Sequence, residues 1–483
     1  HELFHHWFGD LVTCESWANL PLNESFATYG EYIWREKGFG RMEADMHLDA
    51  DLKSYLRESQ RKEVDMIRFD YIDKEDMFDS HSYAKGGRIL HMLRHYLGDD
   101  AFYNGLKKYL NDNAYNSVEI HQLRIAMEAV SGEDLNWFFN QWFLASGHPM
   151  LEIDYDYNNN KKQQVINIEQ IQDQSNTNIY KLPFAIDIYV DGKAKRYLAE
   201  MTQKKQQFVF NVSKEPSNII FDAEHMLLAE IFDEKSDESW LEQMYSPLYM
   251  DSKIALENIS DKNGSQAVIQ ALTSNFWGIR LIGVRKAAKL KNKDGFLSII
   301  VQIAQNEENT KVKSAALRLL ANLDKKDEYK LLFESAIKEE SLLVSGSGLS
   351  SLAKVDTEKA LKLAPKFEND LSEVVNKIYA NYGGPEKASY FQNLFLGASG
   401  YDLYYLAADY TKFLKNQDLS IILDGITVLE KVNEDAKSWM VRVSQYYLKD
   451  IKSTINELYK TEKNKELKKK AYKTLERIDN LLK

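Results

Sequence analysis

The spacing of apolar residues changes twice along this 483-residue chain, and those two changes limit the folds open to it. Up to residue 149, apolar side chains recur three and four positions apart, as in Ile89, Met92, Leu93, Tyr96 and Leu97, which is the signature of helices with one buried face. Ile125, Val130 and the run Leu135 to Phe139 are assigned to further stripes of this kind. After Pro149 the period drops to two. Leu151, Ile153, Tyr155 and Tyr157 alternate with Glu152, Asp154 and Asp156, the pattern of a strand with one buried face. Phe184, Ile186, Ile188 and Val190 repeat it, and Asp191-Gly192 follows as a hairpin turn. Shorter strands are expected near 164–171, 194–200, 206–212 and 217–222, enough for a small β-sandwich. From about Trp240 the helical period returns, for example at 278–290, 311–323, 329–338 and 402–414. Helix pairs recur there every roughly 30–45 residues, as in a degenerate helical solenoid of the HEAT-like kind. The expected architecture is therefore multidomain and mainly α: a helical lobe at 1–149, a β-sandwich at 150–235 and a helical-repeat domain at 236–483.

Composition removes several functions. A formal charge of −11 argues against nucleic acid or an anionic membrane surface as the main partner, because both need a basic face. The basic stretch Lys460 to Arg477 is interleaved with Glu462, Glu466 and Glu476 and reads as a solvated helix face. No run of about 18 apolar residues is present to span a membrane. Cys14 is the only cysteine, so no intramolecular disulfide can form. Compartment and oligomeric state are not legible.

The chain opens on His1-Glu2-Leu3-Phe4-His5, an H-E-x-x-H motif. On a helix, residues four apart are separated by about 40° around the axis, so both imidazoles could reach one metal ion. Glu2 lies between them in sequence and would stand beside a water on that metal as general base. A third, acidic ligand should come from a following helix, and Asn23-Glu24-Ser25-Phe26-Ala27 supplies one, with 18 residues between His5 and Glu24. Zinc suits two imidazoles and one carboxylate, and one Zn2+ per chain is expected on His1, His5 and Glu24.

The stretch from His1 to Tyr32, with Trp7-Phe8-Gly9-Asp10 and Val12-Thr13 after the first motif, resembles the zinc aminopeptidases related to aminopeptidase N and leukotriene hydrolase, a gluzincin family. They share H-E-x-x-H, W-F-G-[ND]-x-V-T and N-E-[GS]-F-A, with the same 18-residue gap. Pro21 stands where the family usually has an aromatic residue. Ser82-Tyr83-Ala84-Lys85-Gly86 is similar to the family's S-Y-x-K-G segment, whose tyrosine stabilises the tetrahedral intermediate. The resemblance implies a thermolysin-like helical catalytic lobe, peptide substrates, metal-activated water as nucleophile, Glu2 as base and Tyr83 as oxyanion donor. It also implies that Glu24 contacts the substrate α-amine. Residues 131–149 are family-like in packing rather than chemistry.

Three readings are weighed. The first is an aminopeptidase; the second is another zinc hydrolase on the same scaffold, an epoxide hydrolase or endopeptidase. The third is a helical interaction module with a vestigial metal site, against which the intact set of His1, Glu2, His5, Glu24 and Tyr83 counts. The family's G-x-M-E-N exopeptidase motif lies upstream of H-E-x-x-H and is absent from this sequence. On that basis the chain by itself is expected to be a poor aminopeptidase, and side-chain preference is not legible.

Overall fold

The computed structural model describes residues 1–483 except 176, 294, 399–400, 436–437 and 483. It divides into two compact units, His1–Phe296 and Leu297–Lys483.

In the first unit, helices α1 (Pro21–Phe39), α2 (Arg41–Ser59), α3 (Gly86–Leu97), α4 (Asp99–Asp112), α5 (Ile120–Ser131) and α6 (Asn136–Trp142) build the lobe expected from the period. Pro21 is the first residue of α1, a position that needs no backbone donor and for which its fixed φ is already suited. Leu22, Phe26 and Tyr29 of α1 and Ile89, Leu90 and Leu93 of α3 enter one shared core. Ile125 and Val130 correct the stripe assigned to them. Both are exposed, and α5 instead buries Leu123, Ala126 and Met127.

A larger correction concerns the opening motif. His1 to His5 do not lie on an α-helix; Phe4–His6 form a single 3-10 turn, with Phe4 N–H on the His1 carbonyl at 2.9 Å and Trp7 N–H on Phe4 at 3.0 Å. The backbone N–H groups of Phe4, His6 and Trp7 each bond the carbonyl three residues back, the pattern that defines a 3-10 turn.

The period of two becomes seven strands in the 150–233 region, and two more lie earlier. Strands β1 (Thr13–Cys14) and β2 (Ser117–Val118) pair in parallel within the lobe. Then come β3 (Met150–Asn158), β4 (Gln163–Gln170), β5 (Leu182–Val190), β6 (Lys193–Met201), β7 (Lys205–Asn211), β8 (Asn218–Phe221) and β9 (Glu230–Asp233). One sheet has the order β7-β4-β3-β9 and the other β6-β5-β8. The β5–β6 hairpin turns at Asp191-Gly192, both with positive φ. The sheets face each other: Phe184 of β5 meets Phe208 of β7 at 5.7 Å, and Tyr197 of β6 meets Phe210 of β7 at 4.6 Å. Leu151, Ile153, Ile166, Ile168, Ile186 and Ile188 join the same core as the helical lobe, so no solvent layer separates the two.

Helices α7 (Asp237–Gln243), α8 (Tyr249–Asn258), α9 (Asp261–Leu272) and α10 (Trp277–Lys289) also belong to the first unit. Trp240, Leu256, Ala271 and Ile279 form a second core, against which Met42 and Met46 of α2 pack. The buried Lys253 ammonium is 3.0 Å from Asp49 of α2. These contacts across more than one sequence segment place the boundary between compact units inside the 236–483 stretch.

The second unit is wholly helical among its described residues, from α11 (Leu297–Asn306) to α21 (Lys465–Leu481). Within it, α12 (Thr310–Leu320), α13 (Lys330–Ala336) and α18 (Tyr401–Lys415) answer to the periodic segments read from the sequence. The Asn309 side chain caps α12 by accepting from the amides of Lys311 and Val312, and Val312, Ala316, Leu317 and Leu320 face inward. The basic stretch on α21 meets acids of α19 (Leu419–Asp435): Arg477 lies 3.2 Å from Glu430, and Lys470 pairs with Asp424.

Candidate metal centre

Helix α1 and the opening turn bring His1, His5 and Glu24 together. Their ligand-type atoms lie within 4.8 Å of one another. Both imidazoles point Nε2 at the same carboxylate oxygen: His1 Nε2 is 3.2 Å from Glu24 Oε2, and His5 Nε2 is 3.4 Å from it. The opposite ring nitrogens are held from behind. His1 Nδ1 donates to Glu31 Oε1 at 3.1 Å, and His5 Nδ1 donates to the Phe8 carbonyl at 3.1 Å. With Nδ1 carrying the proton in each ring, both Nε2 lone pairs face the Glu24 oxygen. Two neutral imidazoles and one carboxylate, each steadied on its far side, are a donor set that fits a divalent cation of the zinc type.

Glu24 is 9% exposed, and burial pushes its carboxyl above the usual range despite the opposing pull of His5 and of a hydrogen bond from Tyr83. A buried, incompletely compensated carboxylate gains most from a cation placed beside it. Glu2 is exposed, and its charge is felt by both Glu24 and Tyr83. Tyr83 stands on a π-helical turn, His81–Lys85, just before α3. Its ring stacks on His1 with centroids 5.9 Å apart and planes 10° apart. Burial first, and then the Glu24 charge, raise that phenol well above its usual range, so it stays protonated as a donor at neutral pH. The structure thus gathers His1, His5, Glu24 and Tyr83 around one point, with Glu2 at its edge. The 3-10 turn does this without the helix that sequence spacing implied.

Residues that the sequence reading did not single out stand behind His1. Glu31 lies seven positions after Glu24 on α1, two turns on, and so shares its face. Its other oxygen is 3.2 Å from His47 of α2, which lowers the Glu31 carboxyl, and His47 in turn lies 3.9 Å from Asp51. Asp51 is pushed up to about 6, chiefly by burial. Glu31 could have been found from the i, i+7 spacing; His47 and Asp51 could not, since only the α1–α2 packing brings them near.

A second cluster, Glu58, Asp79 and His81, is of another kind. Asp79 Oδ2 already takes Arg68 Nη2 at 2.7 Å and Lys62 Nζ at 2.5 Å, so two cations neutralise it. Asp79 Oδ1 accepts the amides of His81 and Ser82 at 3.1 and 3.0 Å, which anchors the start of the turn that bears Tyr83.

Comparison with known proteins matches residues 1–142 to the Peptidase family M1 domain. Over this segment the chain is similar to that family. It is 35% identical over 162 residues to the tricorn protease-interacting factor F2 of Thermoplasma volcanium, covering 33% of this chain and 21% of that protein. It is 35% identical over 164 residues to aminopeptidase N of Lactococcus lactis, covering 32% of this chain and 19% of the relative. A longer match, 23% identical over 388 residues, is to probable aminopeptidase 1 of Sulfurisphaera tokodaii and covers 76% of this chain and 44% of that one. Each of these relatives is thus matched over less than half of its own length. The fold is similar to a crystal structure of Legionella pneumophila aminopeptidase A in complex with aspartic acid. That likeness has a TM-score of 0.63 at 20% identity and covers 99% of this chain and 65% of the other.

Proposed function

We propose that this chain carries the metal centre of a zinc aminopeptidase of family M1, acting on peptides. The observation that carries the reading is the convergence of His1 Nε2 and His5 Nε2 on one Glu24 oxygen, with both Nδ1 atoms engaged elsewhere. His1, His5 and Glu24 would hold the zinc, which when bound supplies Lewis acidity toward a carbonyl and lowers the pKa of water to about 7.

The remaining chemistry belongs to side chains of this chain. Glu2 takes the proton from the attacking water and passes it to the departing amine, a transfer that needs a carboxylate free of metal and open to the site. The Tyr83 O–H donates to the oxygen on which negative charge develops. The Glu24 carboxylate also contacts the substrate's free α-amine. Glu31 holds His1 in the Nδ1–H tautomer, so that its Nε2 lone pair stays available. In this reading 1–149 is the helical lobe of the catalytic domain, 150–235 a β-sandwich and 236–483 a helical-repeat region of HEAT-like type. No helix among the described residues is long and apolar enough to cross a membrane.

Gently purified, folded protein is expected to bind close to one zinc ion per chain. Elemental analysis and titration of the metal-free form check this. Failure to find zinc and failure to take it up would together remove the metal assignment. Hydrolysis of aminoacyl amides, compared with N-blocked peptides cleaved internally, separates an aminopeptidase from an endopeptidase. In a preparation active on an aminoacyl amide, Tyr83→Phe is expected to keep zinc and fold and to lose about 10²–10³ in kcat, the cost of one oxyanion donor. An unchanged kcat would take Tyr83 out of the mechanism.

A further inference from the structure

Helix α1 and the turn bearing Tyr83 meet beside the candidate metal centre, where the Tyr83 ring stacks on His1 with centroids 5.9 Å apart. One residue after Glu24 on α1 and one residue before Tyr83 on the turn, Ser25 Oγ donates to the Ser82 carbonyl at 2.7 Å, with both residues buried. The phenol must be free to reach the substrate oxygen, whereas the Ser25–Ser82 bond involves no reacting group and can persist.

The turn's backbone makes the Ser25–Ser82 bond possible. Because His81–Lys85 is π-helical, the Gly86 amide bonds the His81 and Tyr83 carbonyls, and the Ser82 carbonyl takes the Ser25 hydroxyl. π-helical turns are rare and occur frequently at functional sites. Close approach is secured at Gly86. A Cβ there would stand 1.7 Å from Ser25 Oγ and 2.4 Å from Ser25 Cβ, so any side chain would drive α1 and the turn apart. Gly87 continues the contact one step on, where a Cβ would come within 3.3 Å of Thr28 Cγ2.

We infer that Ser25 and Gly86 form a positioning rung that holds the Tyr83 turn at a set distance from α1, the helix that bears Glu24, so that the phenol keeps its place beside the metal centre. This deepens the role proposed above for Tyr83 and rests on it.

The test uses the whole 483-residue chain, loaded with zinc, with 3-fluorotyrosine placed site-specifically at position 83. Ser25→Ala is expected to remain folded with one zinc bound, while the fluorine resonance shifts and broadens. Amide exchange at 82–87 is expected to rise at least about tenfold, the scale of one lost buried hydrogen bond, with no change at 89–93. Gly86→Ala should lower Tm, and Ser25→Gly in the same chain should restore most of the loss by removing the atoms it strikes. In an active preparation, Ser25→Ala should lower kcat about tenfold at constant KM in a Tyr83 background and have little effect in a Tyr83→Phe background. A wild-type fluorine resonance and exchange pattern in Ser25→Ala, or no relief of Gly86→Ala by Ser25→Gly, would overturn the inference. If the unmodified chain takes up no zinc, the metal reading fails, while the resonance and exchange comparison still decides the rung.

Discussion

Glu2→Gln is expected to retain one zinc per chain and to lose at least about 10³ in kcat on an aminoacyl amide. General acid–base catalysis by a positioned group is worth about 10²–10⁴, and here one carboxylate is assigned both proton transfers. The amide of glutamine is nearly isosteric and can still accept a hydrogen bond from water, but it cannot hold the proton. Glu2 makes no contact with His1, His5 or Glu24 that zinc binding would need, and it is exposed, so neither metal affinity nor Tm should move. Zinc content by elemental analysis, Tm and kcat measured on one preparation check this. A Glu2→Gln protein with wild-type turnover would move the base elsewhere, and one that had lost its zinc would make Glu2 a ligand.

Glu24→Ala should act in the opposite order, on metal first. Its oxygen is the point on which both Nε2 atoms converge, so its removal leaves two imidazoles and no anion. Zinc affinity is expected to fall by more than about 10², beyond the 10–100-fold typical of losing a mere supporting residue. The fold of the metal-free protein should survive. Glu24 is buried and raised toward its neutral form, so alanine there removes a carboxylate that burial already disfavours. Calorimetric zinc titration and thermal melts of the metal-free variants separate the two effects. A zinc affinity within a few fold of wild type would mean that Glu24 is not a ligand, whatever happened to turnover.

Much of this could be read from residues alone, for physical reasons that differ by region. A period of two over eight or nine residues has few alternatives once turn residues bracket it, which is why β3, β4, β5 and β6 lay close to their expected places. The strands that were not expected, β1, β2 and β9, are two to four residues long, too short to show a clear period, and a neighbour supplies their hydrogen bonds. The donor types at positions 1, 5 and 24 and their spacing named the candidate ligands. The local structure under them was another matter: spacing four apart suggested an α-helix, and the structure has a 3-10 turn there. Only the packing of the opening turn on α1 made the two Nε2 atoms converge. Packing also decided the supporting groups: Glu31 shares a face with Glu24 by helical periodicity, but His47 reaches it from α2, and Ser82 reaches Ser25 across 57 residues. The boundary between compact units likewise followed Met42, Met46 and Asp49 meeting α7–α10, contacts between segments some two hundred residues apart. What the sequence determined by itself was what short-range rules govern: periodicity, turn chemistry and the identity of metal-competent side chains. What the tertiary structure decided was which of those side chains share a volume, because burial, carboxylate desolvation and hydrogen-bond distance are set by residues far away along the chain.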